Sequence, residues 1–161
     1  MDVSERLAAL ERRLDALEHP QAPTVDEGDA LWAINALEAQ VDEPGAVLLA
    51  GTVTLPGGRP VRWQEARELP GLLDVDVAQA ADILGALGNP VRLRILLRLL
   101  DEPQTVQELT SIEGIGTAGQ VYHHLRHLTA TGWARPQGGG RYEVPVARVV
   151  PLLGALLSAG P

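Results

Sequence analysis

Apolar residues open the chain at a 4-3-4-3 spacing: Val3, Leu7, Leu10, Leu14 and Leu17, with Glu and Arg between them. That is the seam of a coiled coil and predicts a coiled-coil-like helix over residues 1–18. Two heptads are marginal in water on their own. The helix therefore needs a partner, either its own domain or a second chain for which it serves as a dimerisation arm. His19-Pro20-Gln21-Ala22-Pro23 breaks the pattern, and residues 19–24 read as a linker. Thr24-Val25-Asp26-Glu27 has the form of a capping box. A helix is predicted from there to about Gln40, with Leu31, Ile34, Leu37 and Val41 on one face and Asp42-Glu43-Pro44-Gly45 as its stop.

The period then changes. Ala46–Leu55 is rich in Val, Leu and Thr, Pro56-Gly57-Gly58-Arg59 is a turn, and Val61–Leu69 resumes an extended pattern around Trp63. These features predict a β-hairpin. Two strands alone are unstable, so the hairpin should pack on a helix or pair with a second subunit. Residues 25–75 thus form a helix-plus-hairpin module in which no chemistry is legible.

Helical spacing returns at Asp76, which can cap a helix over Val77–Leu87. Gly88-Asn89-Pro90 interrupts it, with Pro90 at the favoured first position of the next helix. That helix, Val91–Leu100, is predicted to turn Leu93, Leu96, Leu97 and Leu100 inward, and Arg92, Arg94 and Arg98 mostly outward. Thr105–Ile112 reads as a short helix with Val106 and Leu109 inward. Glu113-Gly114-Ile115-Gly116 is a turn whose glycines supply backbone freedom. Thr117 can cap a further helix, Ala118–Thr131, in which Val121, Leu125 and Leu128 share one face and Gln120, His123, Arg126 and His127 point elsewhere. Gly132 ends it. Trp133–Pro136 and Arg141–Val144 flank Gln137-Gly138-Gly139-Gly140 as a second hairpin. The last helix, Val146–Ala159, is too apolar to stand free, and is expected at a subunit interface or packed within the monomer.

Helix, glycine turn, helix, hairpin is the order of a winged helix-turn-helix. The predicted fold is mainly α with small β: a winged helix-turn-helix domain with a C-terminal dimerisation helix over 76–161, preceded by the module and the N-terminal helix. Such a domain suits DNA, because a helix fits the major groove and its outer residues reach base edges and phosphates. Gln120 could read an adenine, Arg126 and the histidines could touch phosphates, and a glycine tip with Arg141 could follow the backbone or minor groove.

The stretches LGALGNPVRLRILLRLL (84–100), TVQELTSIEGIG (105–116), QVYHHLRHLTATGWA (120–134) and GRYEV (140–144) resemble the ArsR/SmtB-type (arsenic-repressor-like) winged-helix family. Asn89 to Leu96 follows that family's opening pattern. Val121, His124, Leu125 and Leu128 follow its recognition helix, and Thr131-Gly132-Trp133-Ala134 its approach to the wing. The resemblance covers roughly residues 84–144 and implies a homodimeric regulator on an imperfect DNA palindrome. Carried over by position, it implies that Thr117, Gln120, Tyr122, His123 and Arg126 face DNA, with Arg141 on the wing. It also implies that His124 supports the helix or a phosphate, and that the dimer forms through Val77–Leu87 and Val146–Ala159. Two departures matter. The family's metal sensors carry a thiol where this chain reads Thr105-Val106-Gln107-Glu108-Leu109, and its other metal sites use His and carboxylates on dimer helices, whereas Ala147–Ala159 has none. Residues 1–75 lie outside the family pattern, so any small-molecule or protein effector acts beyond the reach of the resemblance.

Composition adjusts this picture. The net charge of −8 argues against a generic nucleic-acid binder. Its distribution softens the objection, since residues 1–89 hold 16 acidic residues against 6 Arg, and residues 90–161 hold 5 against 7 Arg. Only the contacting face needs positive potential. There are no cysteines, which excludes disulfides, thiolate metal sites and a cysteine nucleophile. His123 and His127 sit one turn apart, but no carboxylate in the helix joins them and Arg126 would repel a cation, so no metal or other cofactor is expected. The serines sit in no nucleophile motif and Gly138-Gly139-Gly140 is no phosphate loop, so the chain is not expected to be an enzyme. No apolar run approaches the roughly 18 residues of a membrane span, and the charged start is unlike a signal peptide, so a cytoplasmic location without membrane contact is expected. The alternative function is a protein–protein interaction module on a winged-helix scaffold.

Overall fold

The computed structural model describes residues 31–160. The predicted coiled-coil arm, the 19–24 linker and the Thr24–Glu27 cap lie outside the described residues. The chain divides into two units, Met1–Gln40 and Val41–Pro161. In the first, the described residues form one short helix, α1, Trp32–Glu38.

The second unit opens with the expected hairpin. β1 (Ala46–Thr54) pairs antiparallel with β2 (Pro60–Glu68), from Ala46 opposite Glu68 to Thr54 opposite Pro60. Gly58 takes a positive φ of 79° in the turn, where its N–H donates to Leu55 O at 2.8 Å. Val53 and Val61 face each other, as do Gly51 and Trp63, and Val61 is buried.

A short helix, α2 (Leu69–Leu73), leads to α3 (Val77–Leu87). The Asp76 carboxylate caps α3, accepting from the Ala78 and Gln79 amides at 3.0 and 3.1 Å. Asn89 caps α4 (Pro90–Asp101) in the same way, accepting from Val91 and Arg92. Both caps satisfy first-turn amides that would otherwise lack partners. The buried stripe of α4 is Ile95, Leu96, Leu99 and Leu100, whereas Leu97 is 46% exposed. The inward face is thus turned by about one residue from the predicted one, since leucines surround most of this helix. Arg92 is not outward either. Its Nε and Nη2 donate to Ala86 O and Gly85 O at 2.6 and 2.8 Å, closing the end of α3.

β3 (Gln104–Thr105) is a strand that the sequence pattern does not show. It precedes α5 (Val106–Thr110), where Thr105 and Glu108 form a capping box. The helix is shorter than the predicted 105–112. After the turn comes α6 (Ala118–Ala130), then β4 (Arg135–Gln137), a tight turn of three glycines, and β5 (Arg141–Glu143). The sheet order is β3-β5-β4. Trp133 and Ala134, expected in a strand, are instead buried in the link ahead of β4, with the Trp133 indole N–H donating to Ile83 O at 2.8 Å.

The final helix, α7 (Val146–Ala159), holds Pro151 in its interior. Its buried residues Val149, Val150 and Leu152 join one core with Ile95, Leu96, Leu109, Val121, Leu125 and Leu128. α7 also lies against the hairpin. A Cβ placed on Gly51 would meet Val150 Cγ1 at 2.8 Å, and one on Gly154 would meet Leu49 Cδ1 at 3.0 Å. The missing side chains let strand and helix approach. Three helices with a small antiparallel wing, α4 to β5, make a winged helix-turn-helix.

Candidate nucleic-acid interface

α6 owes its position to one face. Val121, Leu125 and Leu128 are fully buried, which drives the opposite face to the surface. Gly114 (φ 75°) and Gly116 (φ 101°) in the preceding turn adopt left-handed conformations that other residues rarely take. Arg94, exposed as expected on α4, reaches that turn, with Nη1 3.4 Å from Gly114 O.

Gln120, Tyr122, His123 and Arg126 all lie on the exposed side. Of these, Tyr122, His123 and Arg126 line a cleft of about 700 Å³ whose other wall is Pro136 and Tyr142 of the wing. Their i, i+1, i+4 spacing places one stripe of α6 along it. Arg126 makes no ion pair or hydrogen bond among the described residues. Thr117 and Gln120 serve the start of the helix: Gln120 Oε1 accepts from the Thr117 N–H at 2.8 Å and from its hydroxyl at 3.2 Å. Only the Gln120 amino group is left for a base edge. Arg141 stands apart from the cleft. Its Nη1 donates to Pro103 O at 2.6 Å and its Nη2 to Glu108 at 3.0 Å, tying the wing to α5.

The local charge favours an anionic partner more than the whole-chain charge does. Glu143 is buried and paired with Arg135 at 2.5 Å. Glu108 is held below the usual carboxylate range by the Thr105 amide, then the Thr105 hydroxyl, with Arg141 adding to the effect. Two of the carboxylates nearest the wing are therefore matched by arginines. The histidines divide. His123 is exposed, whereas the Nδ1 atoms of His124 and His127 are buried with no hydrogen-bond partner. Burial lowers the His124 pKa below its ordinary value, and Arg92, His123 and His127 add to that. His127, expected to point away from the apolar face, is half-buried, with one nitrogen closed off from solvent.

Sequence reasoning missed Pro136 and Tyr142. Strand alternation could have found Tyr142, because it must face the side opposite to Arg141 and Glu143. Among the described residues no cluster of three or more His, Asp or Glu could hold a metal ion, and no helix is long and apolar enough to cross a membrane.

Residues 87–132 match the helix-turn-helix domain family. The match runs from the end of α3 through α4, α5 and α6 to Gly132. Among solved structures, the chain is similar to a homodimeric winged helix-turn-helix DNA-binding domain from Mycobacterium bovis, described as that of a possible ArsR-family transcriptional regulator. The two are 27% identical, the likeness covers 55% of this chain and 83% of that one, and the TM-score is 0.41. No curated protein matches the chain.

Proposed function

We propose that this chain is a sequence-specific, double-stranded-DNA-binding transcription regulator that acts as a homodimer in the cytoplasm. The observation that carries the reading is the exposed stripe of Tyr122, His123 and Arg126 on the second helix of the helix-turn-helix, facing the wing across an open cleft. In this reading α6 enters the major groove, Arg126 meets phosphate or a guanine edge, His123 and Tyr122 supply further donors, and the Gln120 amino group contacts an acceptor. Thr117 and Arg141 act by shaping the helix start and holding the wing. Exposed apolar side chains support self-association: Val77 and Leu84 on α3 and Leu157 on α7 present surface that a second copy could cover. A two-fold dimer would read an inverted repeat.

The test is fluorescence anisotropy of the full chain on its own promoter-region DNA and on a scrambled duplex, at two salt concentrations. Selective, salt-weakened binding is expected, and Arg126→Ala should reduce affinity and lower the salt slope by about 2, one for each copy of Arg126 in the dimer. Equal binding to both duplexes, untouched by Arg126→Ala, would refute the reading. That result would leave the protein-interaction module, which the net charge of −8 and the exposed ring of Tyr122 favour.

A further inference from the structure

Beside the cleft, at the C-terminal end of α6, a second open cavity of about 760 Å³ lies between α3, α6 and α7. Its walls bring Asp82, His127 and Arg148 together with Ile83 and Ala78. Asp82 and Arg148 share the cavity yet make no ion pair with each other or with any described residue. The Arg148 guanidinium lies over the Trp133 ring, 5.0 Å from its centroid. The ring therefore holds the cation by a cation–π contact. His127 adds its ring to the same wall.

We propose that this cavity binds a small amino carboxylate. Arg148 takes the carboxylate, for which a planar guanidinium offers paired donors. Asp82 takes the ammonium through a charge-assisted hydrogen bond. Ile83 and Ala78 cover an aliphatic body. A cavity of this size lies in the range of small-molecule sites. A plain carboxylate or a plain amine satisfies only one of the two charges, and the zwitterion satisfies both. His127 stands one helical turn from His123 in the cleft, so an occupant braces the helix proposed to read DNA. That regulatory consequence rests on the DNA-binding reading, and occupancy of the cavity does not.

The experiment is an NMR titration of the full chain, without DNA, with 4-aminobutyrate, L-leucine, acetate and ethylamine in turn. The reporters are the Trp133 indole N–H, which donates to Ile83 O in the cavity wall, and the Gly132 amide. The expected result is saturable shifts with at least one amino carboxylate and affinities about tenfold or more weaker for acetate and ethylamine, the loss of one charged partner. Arg148→Gln and Asp82→Asn should each weaken binding to a similar extent. Asp82 is exposed, so Asp82→Asn keeps the test readable if Arg148→Gln disturbs the Trp133 packing. Two results would overturn the proposal: no shift with either amino carboxylate, or shifts that both variants leave unchanged. If binding holds, repeating the anisotropy titration with the bound amino carboxylate present should shift DNA affinity. Failure of DNA binding altogether would leave the NMR result standing.

Discussion

Gly51→Ala tests how the hairpin is held. Gly51 lies in β1 with an ordinary backbone conformation, so an alanine there carries no φ penalty, and only the space it enters matters. The new Cβ would stand 2.8 Å from Val150 Cγ1 and 3.2 Å from Cγ2. Carbon atoms in contact prefer about 3.5–4.0 Å, so strand and helix must separate or Val150 must rotate. Val150 is only 4% exposed, and a β-branched side chain in a helix has essentially one rotamer. Overpacking of this kind costs about 1–3 kcal/mol. Replacing glycine within a strand returns about 0.5–1 kcal/mol. The net expectation is a loss of about 1–2 kcal/mol, which for a chain of this length lowers Tm by about 2–4 °C per kcal/mol. Urea unfolding followed by circular dichroism reads it. The decisive comparison is a double-mutant cycle with Val150→Ala, which removes the clashing methyls. The double variant should be more stable than the sum of the single losses by about 1 kcal/mol. A Gly51→Ala protein as stable as the parent, or strict additivity in the cycle, would show that β1 does not bear on α7 as described.

Two further outcomes are expected. Burial and the neighbouring Arg92, His123 and His127 lower the His124 pKa in the folded state. The unfolded chain therefore takes up a proton there first, so stability is full above about pH 6.5 and declines as pH falls through that value. His124→Gln should flatten the decline in urea midpoints between pH 8 and pH 5.5, and an unchanged slope would assign it to other groups. Gly116→Ala meets both a φ of 101° and a clash with the Gln120 Oε1, so it should cost about 1–3 kcal/mol in thermal unfolding. Gly119→Ala, with nothing within 4 Å, should instead gain about 0.5–1 kcal/mol as helix propensity dictates, and equal effects at both positions would refute this account of the turn.

What the sequence made legible was local. Asp76 and Thr117 stand where caps must stand, the turn glycines mark left-handed backbone, and Val121, Leu125 and Leu128 repeat at helical spacing. Each of those signals lies within a few residues of the structure it specifies. The inward face of α4 was not legible, because Leu93, Ile95, Leu96, Leu97, Leu99 and Leu100 offer several nearly equivalent stripes, and only the elements packed against them choose. Two-residue β3 is too short to carry a period. The engagement of Arg141 with Pro103 and Glu108 spans more than thirty positions, and an isolated arginine in a strand gives no hint of it. The candidate site divided in the same way. Tyr122, His123 and Arg126 follow from helical spacing, while the wall formed by Pro136 and Tyr142 follows only from where the wing folds back.

The two strands of the first hairpin are guarded unequally along their outer edges. β2 reads PVRWQEARE, with a proline at its start and alternating charges along its length. β1 reads AVLLAGTVT, nine residues without a charge or a proline, and no further strand pairs with it among the described residues. Unpaired backbone groups on a long apolar strand are a template for adding another strand. This side of the hairpin is where a partner strand would dock most readily, and where chains would cross-pair if the fold were loosened by heat or mutation. A lysine in place of the exposed Ala50 would give β1 the kind of protection that β2 already has.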